Sequence, residues 1–314
     1  MVYLSLCIAT NGIEEWVFPV LDSIYSQGED EALFEVVVTN NGKDEKFHRK
    51  MTRYASLHGN LVYQKTKEVL FENQICALRL GNGAYLKFVN HRSLLYDGAL
   101  KWMIHKIKDE YKEKPIMFFS NGVLKLGHEK KCESFDCFVR TLKRYSSWTT
   151  GVGVWKEDFE QIPEDHKYNH ISPHSDVLFF VKDRDAYIVE DRIWAYDMEA
   201  NHSKKGKYDL YKTFGCDELA ILLNLYIEGF ISVETFNTVK LDYEQFFAEL
   251  YFEFDVLRKP CSYDLSGFED NVNIFFSKHR VILLVLIVIF KKIVYAMGNK
   301  MQKYLNWLQG KESA

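Results

Sequence analysis

Three short polar clusters each close an apolar run in the first hundred residues. Thr10-Asn11, with Glu14 just beyond, follows LSLCIA; Asn40-Asn41 follows FEVVVT; and Asn90-His91-Arg92 follows YLKFV. Hydroxyl, amide, carboxylate, imidazole and guanidinium groups in such places can hydrogen-bond a base, a ribose or a phosphate. None of the three resembles a G-x-G-x-x-G phosphate loop, which disfavours a dinucleotide-binding domain. Farther along, His166, His170 and His174 recur every four residues, with Asp165 and Asp176 nearby. Zinc would need those rings on one helical face, and Pro173 interrupts any helix ahead of His174, so the spacing argues against a metal. Lys204, Lys205 and Lys207 surround Gly206 in a short basic loop. That loop can reach a diphosphate or an anionic acceptor, although a solvated loop explains it as well. Trp148, Trp155 and Trp194 can stack on sugar rings, and packing accounts for them equally.

The elements that must hold these clusters can be read from periodicity. Val2 to Ala9, Phe34 to Thr39, Leu61 to Gln64 and Tyr85 to Val89 read as strands. Glu14 to Ser26, Lys46 to His58 and Glu72 to Leu80 read as the helices between them. Strands alternating with helices predict parallel βαβ units in an open sheet, with ligands collecting at the carboxyl ends of the strands. The middle third is less regular: Pro115 to Ser120, Trp148 to Trp155 and Ala186 to Val189 look like strands. Cys216 to Tyr226 is helical, and from about Leu241 the pattern is helical to the end, with an interruption near Lys259-Pro260.

Bulk properties narrow the class. The 314 residues are enough for one large domain with a tail or two modest ones. With 40 Lys and Arg against 44 Asp and Glu, the net charge of −4 gives no basic excess of the kind nucleic acid selects. The six cysteines contain no C-x-x-C pair, which predicts reduced thiols and a cytoplasmic compartment. The opening MVYLSLCIATNG carries no basic n-region and reads as a strand rather than a signal peptide.

The segments LSLCIATNG (4–12), FEVVVTNNG (34–42) and LRLGNGAYLKFVNHRSLL (78–95), in that order and spacing, resemble glycosyltransferase family 2. The likeness covers the first 100 residues and extends loosely to about 230. It implies an α/β fold of the GT-A type: a Rossmann-like, mostly parallel open sheet with helices on both faces, here with a helical C-terminal extension. The domain would run over 1–245, with a nucleotide-binding half (1–100) and an acceptor half (101–245), and the extension over 246–314. The implied reaction is inverting transfer of a hexosyl or N-acetylhexosaminyl group from a nucleotide-sugar, a UDP-sugar first, to a hydroxyl of a glycan or lipid-linked glycan. The implied setting is bacterial capsule or lipopolysaccharide assembly.

On this resemblance Thr10, Asn11 and Glu14 fall where the first loop meets the nucleotide, and Arg79 in a helix that helps hold the donor. Asn40 stands where the family has an Asp that pairs with uracil. The metal-binding Asp-x-Asp is replaced by Asn90-His91-Arg92. Without a carboxylate there, a hard cation has no charged oxygen ligand, and the expectation is metal-independent transfer with Arg92 gripping the diphosphate. The family's general base falls on Asp176, at the start of a helix, with His174 as second choice. The alternative is a catalytically inactive nucleotide- or carbohydrate-binding subunit of an assembly complex.

Val281 to Phe290 is an uninterrupted apolar run of ten residues between Lys278, Arg280 and Lys291-Lys292. A spanning helix needs about 20 apolar residues, so this run does not cross a bilayer unaided. Beyond it Ile293, Met297, Met301, Tyr304, Leu305 and Leu308 recur at helical spacing opposite Lys300 and Lys303. The 278–308 segment is therefore expected either at a membrane surface, placing the protein at the inner face of the cell membrane, or in packing, including a homo-oligomer.

Overall fold

The computed structural model describes residues 1–69, 71–199 and 207–312, with side chains to residue 295 and at 297 and 298. The basic loop expected at 203–207 falls, apart from Lys207, outside the described residues. The chain forms two compact units: Met1–Asn201 with Ile221–Phe236, and His202–Ala220 with Asn237–Ala314. The sequence reading ends its first domain at 245; of the described residues, the stretch 207–220 groups with the C-terminal unit. The cause is local: the Asp209 bridge to Asp264 and the Tyr211 ring on Phe247 and Phe268 tie it there.

The first unit is built on β1 (Leu4–Thr10), α1 (Glu14–Tyr25), β2 (Phe34–Asn40), α2 (Glu45–Ala55), β3 (Leu61–Lys65), α3 (Glu72–Leu80) and β4 (Tyr85–Phe88). Next come β5 (Ser93–Leu95), α4 (Ala99–Glu110), β6 (Ile116–Phe119), β7 (Lys130–Cys132), α5 (Phe135–Leu142), β8 (Gly153–Trp155) and α6 (Lys156–Phe159). Then follow α7 (Pro173–Phe180), β9 (Tyr187–Glu190) and β10 (Ala195–Asp197). The main sheet has the order β3-β2-β1-β4-β8, parallel except for β8. β1 and β2 are buried on both faces, which is why they read as continuous apolar runs rather than as alternation. Helix α1 lays Trp16, Val17, Val20, Leu21 and Ile24 on this sheet, and Asp44 caps α2 by accepting from the Lys46 and Phe47 amides. A second sheet, β6-β9-β7, and the pair β5-β10 complete the unit.

Trp148 to Trp155 is not one strand. Residues Lys143–Ser147 and Thr149–Gly151 form 3₁₀ turns, and only Gly153–Trp155 pairs with β4. Its glycines mark close packing: a Cβ at Gly151 would lie 2.1 Å from the Phe118 ring, and one at Gly153 2.4 Å from the Tyr85 ring.

The second unit is helical: α8 (Leu210–Lys212), parts of α9 (Glu218–Ile227) and α10 (Val233–Tyr251), α11 (Phe268–Phe275) and α12 (Lys278–Glu312). Val239, Tyr243, Phe247, Ala248, Val272 and Tyr211 form its core. Among the described residues no single helix is long and apolar enough to cross a membrane. Phe268–Phe275 with Lys278–Tyr295 passes by length and composition as a pair, bent by 101°.

Candidate active site

In the sheet order β3-β2-β1-β4, the chain moves outward through β2 and β3 and returns to the other side of β1. The carboxyl ends of β1 and β4 therefore flank the point where the order reverses, the place where an open α/β sheet leaves a ligand crevice. Thr10 ends β1, and Val89 hydrogen-bonds to Cys7 as β4 runs into Asn90-His91-Arg92. Across the reversal the Thr10 hydroxyl lies 2.9 Å from His91 Nδ1 and also accepts from the Gly12 amide at 3.1 Å. The His91 ring packs edge-on against Trp16 at 5.1 Å. Burial, with a smaller contribution from the Arg92 charge, holds its pKa down to about 4, so the imidazole is neutral near pH 7.

Arg92 is clamped. Nη1 donates to the Met198 carbonyl at 3.0 Å, Nη2 lies 3.6 Å from the Asp197 carboxylate just after and within β10, and the guanidinium sits 5.7 Å from the Trp16 ring centre. Asn90 turns its side chain back to accept from the Arg92 amide. The segment therefore offers an amide, a neutral imidazole and a fixed positive charge. Its donor set holds no carboxylate and does not fit a hard divalent cation. Among the described residues no three His, Cys, Asp or Glu side chains converge as metal ligands.

Asn40 is fully buried. Its Oδ1 accepts from the Gly42 amide at 2.8 Å and its Nδ2 donates to the Tyr63 hydroxyl at 3.2 Å, which His48 Nδ1 approaches at 3.0 Å. The amide expected to face a base is thus spent on shaping the loop after β2. That loop presses on the first one: a Cβ at Gly42 would stand 2.1 Å from the Asn11 carbonyl. Glu14, at the start of α1, is in ion pairs with Lys50 and Lys46 of α2.

Sequence reasoning passed over Asn73. Buried in the first turn of α3, it donates to the Thr10 carbonyl at 3.3 Å and the Thr39 carbonyl at 3.0 Å, and accepts from the Thr66 hydroxyl at 2.7 Å. One side chain thus ties the ends of β1 and β2 to the segment after β3. Its neighbour Glu72 takes His170 at 2.9 Å. Helix α3 therefore links the donor-side loops to the 163–172 stretch that leads into α7.

Pro173 is the first residue of α7, where its missing amide costs nothing, and Asp176 lies in the same first turn. The Asp176 carboxylate accepts from the Asn169 amide at 2.5 Å. Burial raises its pKa, opposed by that hydrogen bond and by nearby His166. Tyr168 interacts with the Arg79 guanidinium and feels the charge of Asp176. The structure thus brings two expected site residues, Arg79 and Asp176, to one tyrosine.

His174 is turned inward. Nε2 meets the Ser147 carbonyl at 2.7 Å, Nδ1 lies 3.2 Å from the Thr149 hydroxyl, and burial lowers its pKa to about 4. With both ring nitrogens engaged inside the protein, His174 braces α7 against the 147–149 turns. The same 147–152 segment is held from the sheet by Lys87 of β4, which is fully buried. Its ammonium donates to the carbonyls of Phe88 at 2.9 Å, Val152 at 3.4 Å and Thr150, beneath the rings of Phe119 and Trp194.

No protein-family model matches the chain, and no curated protein matches it in sequence. Solved structures match it by fold. Residues 1–349 of S. aureus TarS in complex with UDP-GlcNAc align with a TM-score of 0.52 at 16% identity, covering 87% of this chain and 77% of that one. Another crystal structure of the same TarS segment gives 0.51 at 15% identity, over 87% and 76%. Its complex with UDP gives 0.50 at 15%, over the same shares. The chain has the fold of these glycosyltransferases, a mixed α/β architecture with a mainly parallel central sheet and a helical C-terminal region.

Proposed function

We propose that the chain is a glycosyltransferase that takes a sugar from a nucleoside-diphosphate donor, a UDP-sugar first, and passes it with inversion to a hydroxyl of a glycan or lipid-linked glycan. The observation that carries this reading is the pairing of polar strand ends at the sheet reversal with a partly buried carboxylate, Asp176, on the helix that α3 links to them. The fold likeness to a protein solved with UDP-GlcNAc supports the donor class. Asp176 accepts the proton of the attacking hydroxyl as its oxygen bonds to the anomeric carbon. The electron pair of the breaking bond leaves with the nucleoside diphosphate. Arg92, held in place rather than free, sets a positive charge where that negative charge grows. Thr10, Asn11, Asn90 and Arg79 line or frame the donor side, and Asn40 and Glu14 act by shaping its loops. No step is assigned to a metal. The setting of the reading is the cytoplasmic face of a bacterial membrane, in surface-polysaccharide assembly.

The missing carboxylates at 90–92 favour a second reading, a nucleotide-sugar-binding subunit without turnover. A thermal-shift screen of UDP- and GDP-sugars, each with Mn²⁺ and with EDTA, followed by a hydrolysis and transfer assay, separates them. A shift with one donor, unchanged by EDTA and accompanied by turnover, is the expected result. A shift without turnover selects the binding subunit, and no shift with any nucleotide overturns both.

A further inference from the structure

Helix α12 is apolar on two opposite faces. Val281 and Val285 are buried within its own unit, and Val288 with Phe252 lines the groove against α10. On the outside Leu283, Leu286, Phe290, Val294 and Met297 are 57%, 57%, 67%, 51% and 64% exposed. They form a stripe about 21 Å long at 1.5 Å per residue. A helix that is apolar all round is covered on both sides in its working state, and a contiguous exposed patch marks a docking surface.

Charge decides what covers it. From Lys278 to Lys311 the sequence holds seven Lys and Arg and no Asp or Glu. Lys278, Arg280 and Lys292 lean on Glu269, Glu244 and Glu253, yet their side chains remain 42%, 56% and 52% exposed. A second copy would bring the same cations to the seam, and up to Lys311 the helix itself offers no carboxylate to answer them. An anionic lipid surface is the complement: acyl chains for the stripe, headgroups for the flanking cations. The apolar run of ten residues is too short to span, so the helix lies in the plane.

We propose that α12 docks the protein on anionic bilayers by burying the Leu283–Met297 stripe at the headgroup boundary. The inference stands on the C-terminal unit alone and is independent of the transferase reading. Sedimentation of the full chain with vesicles of phosphatidylcholine, alone or with about one-third phosphatidylglycerol, tests it. The expected result is at least about tenfold stronger partitioning to the anionic vesicles, weakened by salt and lost in Leu286→Glu with Phe290→Glu. Both residues are exposed, so an unchanged melting temperature of the double variant confirms that the fold is kept. No partitioning, or partitioning that the double variant retains, overturns the proposal. So does a concentration-dependent dimer in light scattering that the double variant dissolves while vesicles bind nothing. None of these outcomes touches the nucleotide-sugar screen, which is read without lipid.

Discussion

The hydroxyl of Thr10 and Nδ1 of His91 sit 2.9 Å apart, joining the end of β1 to the segment after β4 across the reversal of the sheet. The ring also packs on Trp16 and is held neutral near pH 7 by burial, which ties this junction to pH. His91 and His174 both have pKa values lowered to about 4 by burial, against an ordinary 6.5. Between pH 6.5 and 4 the unfolded chain binds protons that the folded chain refuses, so stability is full above 6.5 and falls as pH drops toward 4. Thermal melts at pH 7 and pH 5 should differ by ~1–2 kcal/mol for each ring. His174→Gln should flatten its share of that slope.

Asp176→Asn should lower the transfer rate at least ~10²-fold while leaving donor binding intact, measured by initial rates and calorimetry. Because burial raises this carboxyl's pKa, the rate of the unaltered enzyme should fall with decreasing pH earlier than for an ordinary aspartate. That acidic limb should be absent from the residual rate of the variant.

Asn73 carries a prediction about loops rather than chemistry. Asn73→Ala removes one hydrogen bond each from the Thr10 and Thr39 carbonyls and the Thr66 hydroxyl and should cost about 1–3 kcal/mol in urea unfolding. Asn73→Asp should do no better, since a carboxylate cannot donate to two carbonyls.

Much of this frame could be read from residue order. β1 and β2 are apolar on both faces, so their runs are unbroken and their polar ends stand out, and the Asn90-His91-Arg92 departure was visible for the same reason. Asn73 was not, because a lone asparagine in a helix has no period and its partners are 34 and 63 residues away. The stretch around Trp148 failed differently. Its glycines answer to the Phe118 and Tyr85 rings above them, and only tertiary packing turns that segment into 3₁₀ turns. The inward turn of His174 depends likewise on Ser147 and Thr149.

Arg92→Ala should weaken donor binding about ten- to a hundredfold, and Arg92→Lys should not restore it, because an ammonium cannot keep the planar clamp on Met198 and Asp197. Asp197→Asn should move affinity the other way or leave it unchanged, since it releases the guanidinium's charge toward the crevice. Calorimetry with the donor found in the nucleotide screen checks both signs.

The carbonyl cage around Lys87 makes that residue a built-in reporter. Burial pushes its pKa well below the usual lysine range, and no reagent can reach its nitrogen while β4 and the 147–152 segment stay together. Acylation at Lys87, followed by mass spectrometry under gentle conditions, would therefore count openings of the N-terminal unit one by one, while surface lysines label at once. A ligand that closes the crevice would slow that clock, giving a measure of occupancy that requires no turnover.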